Sequence, residues 1–482
     1  MKYEYIVIGA GAAGLSFAAL MEKRGHKVAI LESHSLPGGC SSYFERDGFT
    51  FDAGATTLSG LKKGRPLEQL IKQLNLNLDL VSVDPGVISW IDDKKIRHFS
   101  DSKKWISELT NHFPAIDHNK LWNKLYLVDE RGWKLSTTFK NIPIRSFKSL
   151  ISFFSFNTFS ALLSLPALIS SVFSTVDKLK IKDKIYLQML DELLFITAQN
   201  KMQDTPLLMG AMGLSYPEDT AYAMGGMKAF SNALALKCSH IFYKHQVIKI
   251  TPINKSQSFE VMTSKGTFSC AKLVSTIPFW NHNELFEDEK GQNFFTKTNR
   301  PDPKNCWSAF MIYLTIPLDK IREGLYHQIH CAEIPNCFTK SFFVSLSNPN
   351  DILRSIDGRQ TVTISTHTRA SEWLGLENEE YKRKKENTKN FILSILKEKF
   401  QLQDSDLQNI LTGSPKTFIK YTKRYNGLVG GVPHSLTRNP LSYILARSPY
   451  KNFYMLGDTQ FPGQGIAAVV MGSQNLADFL SR

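Results

Sequence analysis

The chain has 482 residues, more than one hydrophobic core usually covers, so we expect two domains. Hydrophobic residues make up 42% of the sequence and the mean hydropathy is -0.20, which excludes a disordered chain and a polytopic membrane protein. The formal net charge of +14 favours an acidic partner surface. Because no zinc-finger, RNP-like or basic-region pattern accompanies the charge, we expect anionic lipid and no nucleic acid, with a generally basic surface as the alternative.

Six cysteines are scattered along the chain without a CxxC pair or a Cys/His cluster, which predicts reduced thiols and no metal site. His327 and His330 would point to opposite faces of a predicted strand, which favours a structural role for each. The chain begins directly with an apolar segment, so we expect no signal or transit peptide and a cytoplasmic protein. Peripheral contact with the cytoplasmic membrane face is left open.

A glycine-rich turn comes directly after this first apolar segment. Gly9 permits a sharp turn, Gly11 allows close approach of a pyrophosphate, and Gly14 allows the following helix to pack on the strand. A second apolar segment, residues 28–31, ends in Glu32, at the distance where an acidic side chain meets ribose hydroxyls. The pattern predicts a dinucleotide site with phosphates at the helix N-terminus, and an ordinary βαβ turn is the alternative.

Two other segments, one just after Glu32 and one near the C-terminus, decide which cofactor is expected. The glycine pair at 38–39 adds backbone N–H groups near the phosphates, which favours a retained, extended FAD over a dissociable NAD. A predicted strand near the C-terminus closes in Asp458, whose carboxylate can hold ribityl hydroxyls. The small-residue helix that opens at Gly465 can stabilise negative charge on a reduced flavin.

Four segments, 32–39, 44–54, 225–230 and 456–465, together resemble the bacterial-type phytoene desaturase superfamily of FAD-dependent enzymes. Within it, the sequence is most similar to the carotenoid cis-trans isomerases, over nearly the whole chain. Retinol saturases belong to the same superfamily, and the flavin amine oxidases are related to it. The resemblance implies an α/β protein with a Rossmann-like FAD-binding domain of the GR2 type and a discontinuous α+β substrate domain.

The resemblance also implies domain boundaries and cofactor contacts. The FAD-binding domain would comprise residues 1–55, 225–280 and 435–482, and the substrate domain residues 56–224 and 281–434. The residues expected to bind FAD are Gly9, Gly11, Ala13, Gly14, Glu32, Gly38, Gly39, Cys40, Ser41, Gly54, Ala55, Val247, Gly457, Asp458, Gly465 and Ile466. The backbone at Val247 would face the adenine. Cys40 is a departure, because this position is often Arg in related flavin oxidases.

The implied activity is an FAD-dependent oxidoreductase reaction on a lipophilic polyene, by a carotenoid isomerase or desaturase-like enzyme. Isomerisation, desaturation and saturation stay open, because the helix at Gly465 would stabilise an anionic ring in all three. No catalytic acid or base can be named from the sequence. An amine-oxidase or protoporphyrinogen-oxidase-like flavoenzyme is one alternative, and a catalytically silent flavin-binding membrane subunit is another.

Residues 149–176 contain no charged side chain. Serines, threonines and Pro166 dilute their apolar character, which argues against a membrane-spanning helix. The aromatic side chains and the flanking lysines favour a helix lying in the bilayer interface as a membrane-contacting segment. A helix pair buried in the substrate domain is the alternative.

Periodicity predicts further elements on either side of this stretch. Helices are expected at 65–75, 183–194, 207–214, 225–236 and 377–400. A β-meander is expected at 240–243, 246–251, 259–263 and 267–276, and strands of one antiparallel sheet at 307–316, 342–346 and 361–366.

Overall fold

The computed structural model describes residues 1–138, 165–253, 257–297, 302–438 and 448–481. The strands in these ranges are β1 (Lys2–Ile8), β2 (Val28–Leu31), β3 (Tyr43–Arg46), β4 (Phe49–Asp52), β5 (Leu80–Ser82), β6 (Val87–Ile91), β7 (Lys94–His98), β8 (Ala221–Ala223), β9 (Ile241–Phe242), β10 (Val247–Ile253), β11 (Ser258–Thr263), β12 (Gly266–Ser275), β13 (Ser308–Pro317), β14 (Tyr326–His330), β15 (Ser341–Leu346), β16 (Ser355–Ile356), β17 (Arg359–Thr368), β18 (Gln408–Gly413) and β19 (Phe453–Met455).

The helices in the same ranges are α1 (Ala12–Lys23), α2 (Pro66–Leu74), α3 (Ser102–His112), α4 (His118–Thr138), α5 (Leu165–Ile169), α6 (Val172–Lys178), α7 (Lys184–Ala198), α8 (Leu207–Leu214), α9 (Gly226–Ala235), α10 (Glu289–Lys297), α11 (Asn378–Phe400), α12 (Pro415–Thr422) and α13 (Ile466–Leu480). The five helices predicted from periodicity are all present. For example, α7 begins after Asp183, whose carboxylate caps it by accepting hydrogen bonds from the backbone N–H of Ile185 and Tyr186, both at 3.0 Å.

The first large sheet has seven strands in the order β10-β11-β12-β1-β2-β9, with β19 added on β12. β1 pairs in parallel with both β2 and β12. Along β1, Tyr5 and Val7 face one hydrophobic cluster while Ile6 and Ile8 face another, because helices and loops cover both sides of the sheet. This is the Rossmann-like α/β arrangement that the glycine-rich turn predicts.

The second large sheet has eight strands in the order β18-β13-β17-β15-β14-β6-β7, with β16 added on β17. The strands predicted as antiparallel neighbours do pair in that way, but β6 joins β14 in parallel, so the whole sheet is mixed. Its core includes Ile312, Ile364 and the α11 residues Ile392 and Leu396. Each large sheet draws its strands from one of the two expected sets of chain ranges, and we propose these sets as the domains.

The predicted β-meander is only partly correct. β10, β11 and β12 form the expected antiparallel run. The segment at 240–243 instead forms β9, which pairs in parallel with β2 through Ile30 and Ile241 at the opposite edge of the sheet. Because this segment is close in sequence to β10, it was expected to be the first strand of the meander. It is instead the edge strand of the parallel part of the sheet, next to β2.

The uncharged stretch is described only in its second part. Residues 149–164 lie outside the described residues, and with them the aromatic residues Phe153, Phe154, Phe156 and Phe159. In α6, Val172 and Val176 are buried in the same hydrophobic cluster as α8, as expected for packed helices. Ile169 and Phe173 nevertheless expose 72% and 38% of their surface. No helix within the described ranges is long and apolar enough to cross a membrane.

A buried charge cluster joins the β3-β4 hairpin to the loop that precedes β16. The guanidinium of Arg354, which precedes β16, lies 2.9 Å from a carboxylate oxygen of Asp52 at the end of β4, and both side chains are almost fully buried. Arg354 also donates to the Tyr222 hydroxyl, which in turn donates to Asp351 at 2.6 Å. The second Asp52 oxygen accepts from the backbone N–H of Met227, at the start of α9. The cluster therefore ties the β3-β4 hairpin and the loop before β16 to one helix.

Replacing Arg354 by Met should lower the free energy of unfolding by about 3–5 kcal/mol, because it leaves the Asp52 carboxylate buried without its cation. The measurement is urea unfolding of the purified protein. Arg46→Met is the matched control: Arg46 pairs with Asp47 on the surface, so this change should cost less than about 1 kcal/mol. Equal unfolding midpoints for the two variants would contradict a role for the buried pair.

Candidate functional site

A cavity of about 1310 Å³ lies between the carboxyl ends of the parallel strands and one face of the eight-stranded sheet. Ile8, Leu31 and Thr276 line it at the ends of β1, β2 and β12, while Met311 and Phe343 line it from β13 and β15. Open α/β sheets bind ligands at this edge. Pockets for a single small ligand are usually about 300–1,000 Å³, so this cavity is larger than a typical site for one such ligand.

The structure brings together almost all of the residues predicted to bind the cofactor. Those that line the cavity are Gly9, Gly11, Ala13, Glu32, Gly38, Gly39, Cys40, Ser41, Gly54, Ala55, Val247, Gly457, Asp458, Gly465 and Ile466. Gly14 does not line it. An ideal Cβ at Gly14 would lie 2.1 Å from the Gly9 carbonyl oxygen, so its role is the close packing of α1 on β1.

The Glu32 carboxylate at the end of β2 is held in a fixed orientation. One oxygen accepts a hydrogen bond from the Ala10 backbone N–H at 2.7 Å, and the other accepts from the His34 N–H at 2.7 Å. Gly38 N–H donates to the Ala10 carbonyl at 2.7 Å, which fixes the loop after β2 against the glycine-rich turn. The carboxylate is thus positioned at the cavity wall, where an acceptor can meet ribose hydroxyls.

Two helix N-termini face the cavity without a side-chain cap. They belong to α1 after Gly11 and to α13 after Gly465. An ideal Cβ at Gly11 would meet only the Gly38 carbonyl oxygen, at 3.9 Å, and one at Gly465 would meet nothing within 4 Å. This open space beside free backbone donors fits an anionic, extended dinucleotide such as FAD.

Arg424, just after α12, is a cavity residue that sequence reasoning missed. Its guanidinium donates to Asp458 at 2.7 Å, and both side chains are largely buried. Burial raises the pKa of the neighbouring Cys40 thiol, while the positive charge of Arg424 opposes that shift. The only sequence signal was indirect: Cys40 occupies a position that is often Arg in related proteins, and here an arginine reaches the same place from a distant segment.

The other end of the cavity is mainly apolar. Its large apolar and aromatic lining residues are Trp133, Ile196, Met209, Met212, Tyr216, Met311, Tyr313 and Phe343. Glu192 and His367 add a carboxyl group and an imidazole to this lining. Burial raises the pKa of Glu192, and burial lowers the pKa of His367 to about 4, so His367 is neutral at neutral pH. A long apolar ligand with few polar contacts fits such a lining.

Metal ligation is not suggested by the described part of the chain, where no group of His, Cys, Asp and Glu could hold an ion. His327 and His330 both lie on β14, as expected for a strand. A ring nitrogen of His327 accepts a hydrogen bond from the Trp90 indole at 3.1 Å, which is a structural contact.

A model of NAD(P)-binding Rossmann-like domains matches residues 7–74. Three relatives align over nearly the whole chain. Prolycopene isomerase 2 of an Oncidium hybrid cultivar is 27% identical across 97% of this chain and 82% of its own length. A 1-hydroxycarotenoid 3,4-desaturase of Flavobacterium sp. is 24% identical across 98% of each chain. An all-trans-retinol 13,14-reductase of Rattus norvegicus is 23% identical across 95% of this chain and 83% of its own.

Solved structures share the complete fold. Putrescine oxidase with bound putrescine matches with a TM-score of 0.65 at 13% identity, over 100% of both chains. An oxidoreductase from Methanosarcina mazei matches with a TM-score of 0.64 at 17% identity, over 99% of this chain and 100% of its own. The resemblance expected from the sequence is confirmed: the chain is similar over nearly its whole length to proteins named as a carotenoid isomerase, a carotenoid desaturase and a retinol reductase, and it shares its fold with putrescine oxidase.

Proposed function

We propose that the protein is an FAD-dependent oxidoreductase that acts on a lipophilic polyene, most like a carotenoid isomerase or desaturase. One observation carries the proposal: a single cavity joins the dinucleotide end of the Rossmann-like sheet to a long apolar pocket. The relatives named for carotenoids and retinol support the polyene, and the flavin oxidase fold supports the flavin.

Each proposed cofactor contact has a physical reason. Glu32 would accept hydrogen bonds from the ribose, and the N-terminus of α1 would bind the pyrophosphate. Asp458 would accept from the ribityl hydroxyls, and Arg424 beside it would balance the phosphate charge. Bound FAD would supply the redox chemistry that the described side chains lack. The N-terminus of α13 at Gly465 would favour negative charge nearby.

The substrate pocket would act through exclusion of water and through orientation. A polyene hydrocarbon has no ionisable group, so apolar walls such as Met311, Tyr313 and Phe343 suffice to bind it. Saturation of a double bond remains an alternative reaction, because the same lining and the same helix N-terminus would serve it. A catalytically silent flavin-binding subunit would need no such substrate pocket. We propose no nucleic acid partner for the protein.

An amine-oxidase-like activity is the second candidate, because Glu192 places a carboxyl group in the pocket. Lys201 also lies close enough to Glu192 to affect its pKa, and its positive charge disfavours an ammonium ligand there. The observations therefore favour an uncharged substrate.

The proposed function is tested by incubating FAD-loaded protein with defined cis and all-trans carotenoid hydrocarbons, with and without an electron acceptor. The products are separated by chromatography, and their isomers and double bonds are counted. We expect a changed isomer pattern or a changed number of double bonds. Turnover of primary amines together with unchanged polyenes would contradict the proposal and favour the second candidate.

Gly11 and Gly14 provide a matched pair for the cofactor assignment. Gly11 has an ordinary backbone conformation and open space above it, so Gly11→Val should fold but fill the volume that the pyrophosphate needs. We expect at least about a tenfold loss of bound FAD, read from the flavin absorbance of the purified protein. Gly14→Val should instead reduce folded yield, because its side chain meets the Gly9 backbone. A Gly11→Val protein with full flavin occupancy would contradict the assignment.

We also propose peripheral membrane contact, through the exposed apolar side chains of α5 and α6. Ile169 and Phe173 are exposed at the described end of the uncharged stretch, and the chain carries a net charge of +14. Apolar side chains next to a basic surface suit the interface of an anionic bilayer. A lipid-dissolved polyene would reach the protein from that surface.

The double change Ile169→Ser and Phe173→Ser should weaken pelleting with anionic liposomes by about tenfold while FAD stays bound, because it removes exposed apolar area. High salt should release the unmodified protein only in part, since salt screens lysines but leaves apolar insertion intact. Ile352→Ser is the control, because Ile352 is 83% exposed on another part of the surface. Equal liposome binding by all three proteins would exclude contact through α5 and α6.

A further inference from the structure

Glu192 lies on the face of α7 that lines the cavity. Glu192 and Ile196 are one turn apart and share one helix face, Gln199 is the C-terminal cap of the helix, and all three are cavity residues. The same helix touches the dinucleotide end, because Gln464, just before α13, donates to the Thr197 carbonyl. With a rise of about 1.5 Å per residue, Glu192 lies roughly 7 Å along the helix axis from Thr197, in the direction away from the dinucleotide end.

The two carboxylate oxygens of Glu192 have different surroundings. Oε2 accepts hydrogen bonds from the Ser341 hydroxyl at 2.7 Å and from the Lys340 backbone N–H at 3.1 Å. Oε1 accepts none from the described part of the chain. The residue is only 3% exposed, and it borders the cavity. Thus one oxygen fixes the side chain, and the other has no hydrogen-bond donor among the described residues.

This arrangement is costly unless it has a partner. A buried carboxyl group without full hydrogen bonding lowers stability, and an apolar side chain at this position would pack against Ile196 without that cost. The hydrocarbon part of a polyene makes no use of a carboxyl group. A substrate with a polar end would give the second oxygen of this cavity-lining carboxyl group a partner.

We propose that Glu192 binds the terminal hydroxyl group of a polyene alcohol and so determines which end of the substrate lies away from the cofactor. This inference rests on the proposed function. A hydroxyl can donate to an ionised carboxylate and accept from a protonated one, so it is held in either state, whereas an aldehyde needs the protonated acid. An ammonium group would also meet the positive charge of nearby Lys201.

The test compares three linear polyenes that share one chain: the primary alcohol, its methyl ether and its primary amine. Binding to oxidised, FAD-loaded protein is measured without an electron donor, by quenching of tryptophan fluorescence, since Trp133 lines the cavity. We expect the alcohol to bind about tenfold more tightly than the ether, because only the alcohol can donate a hydrogen bond.

Glu192→Leu should bring the dissociation constants of alcohol and ether to within about twofold of each other without weakening the ether. Glu192→Gln should keep part of the preference, and it serves as the second variant if the Leu variant does not fold. Asp191→Asn is the matched control: Asp191 precedes Glu192, does not line the cavity and accepts a hydrogen bond from the Met202 N–H at 2.8 Å. It should leave the preference unchanged.

The outcomes separate the inference from the function on which it rests. Equal binding of alcohol and ether to unmodified protein, an unchanged preference in both Glu192 variants, or tightest binding of the amine would overturn the role of Glu192. Tight binding of the ether in those cases would leave the polyene function standing. Failure of all three polyenes to bind would overturn both.

Discussion

The buried ion pair of Arg354 and Asp52 holds in place the β3-β4 hairpin, which is part of the cavity wall. The strand β3 of this hairpin lines the cavity, and Arg354 reaches Asp52 from the loop before β16 of the eight-stranded sheet. A buried pair adds little net stability over a well-packed apolar pair, but it requires a specific geometry, because a displaced charge would be left unsatisfied. The Met227 N–H on Asp52 extends this requirement to the start of α9. The pair therefore fixes the position of the cavity-lining β3-β4 hairpin relative to the loop before β16 and to α9.

The cofactor end could be predicted because its signals are local in the sequence. Gly9, Gly11 and Glu32 act within one βαβ unit, and a strand, a turn and a helix that follow one another can be recognised without knowledge of distant contacts. The capped start of α7 at Asp183 is local in the same sense.

The pocket could not be predicted, because its decisive contacts join distant segments. Ser341 meets Glu192 from 149 positions away, and Arg424 meets Asp458 from a loop after α12. The periodicity of the sequence predicts the helix that contains Glu192, but it does not indicate that this polar residue lines a pocket. The wrong prediction for β9 has the same cause. This strand pairs with the distant strand β2 at the edge of the sheet, and not with the neighbouring segment of the chain.

The dinucleotide end of the cavity would bind the cofactor, whereas the apolar pocket would determine which substrate reacts. Putrescine oxidase has this fold at 13% identity, so the fold alone does not determine what is oxidised. Glycine turns and helix N-termini would serve any of these flavoenzymes. The substrate that this chain accepts would instead depend on the lining of the apolar end, where Glu192 places a carboxyl group among apolar side chains.

The run of α7 from Glu192 to its last residue, Ala198, also bears on regioselectivity. These two residues are separated by roughly 9 Å along the helix axis. A conjugated chain is itself nearly rigid, so anchoring one terminus would select the reacting carbons by counting from that end. The bond that is transformed would then be chosen by helix length, and polyenes of different length would react at the same distance from their anchored terminus rather than at their midpoints.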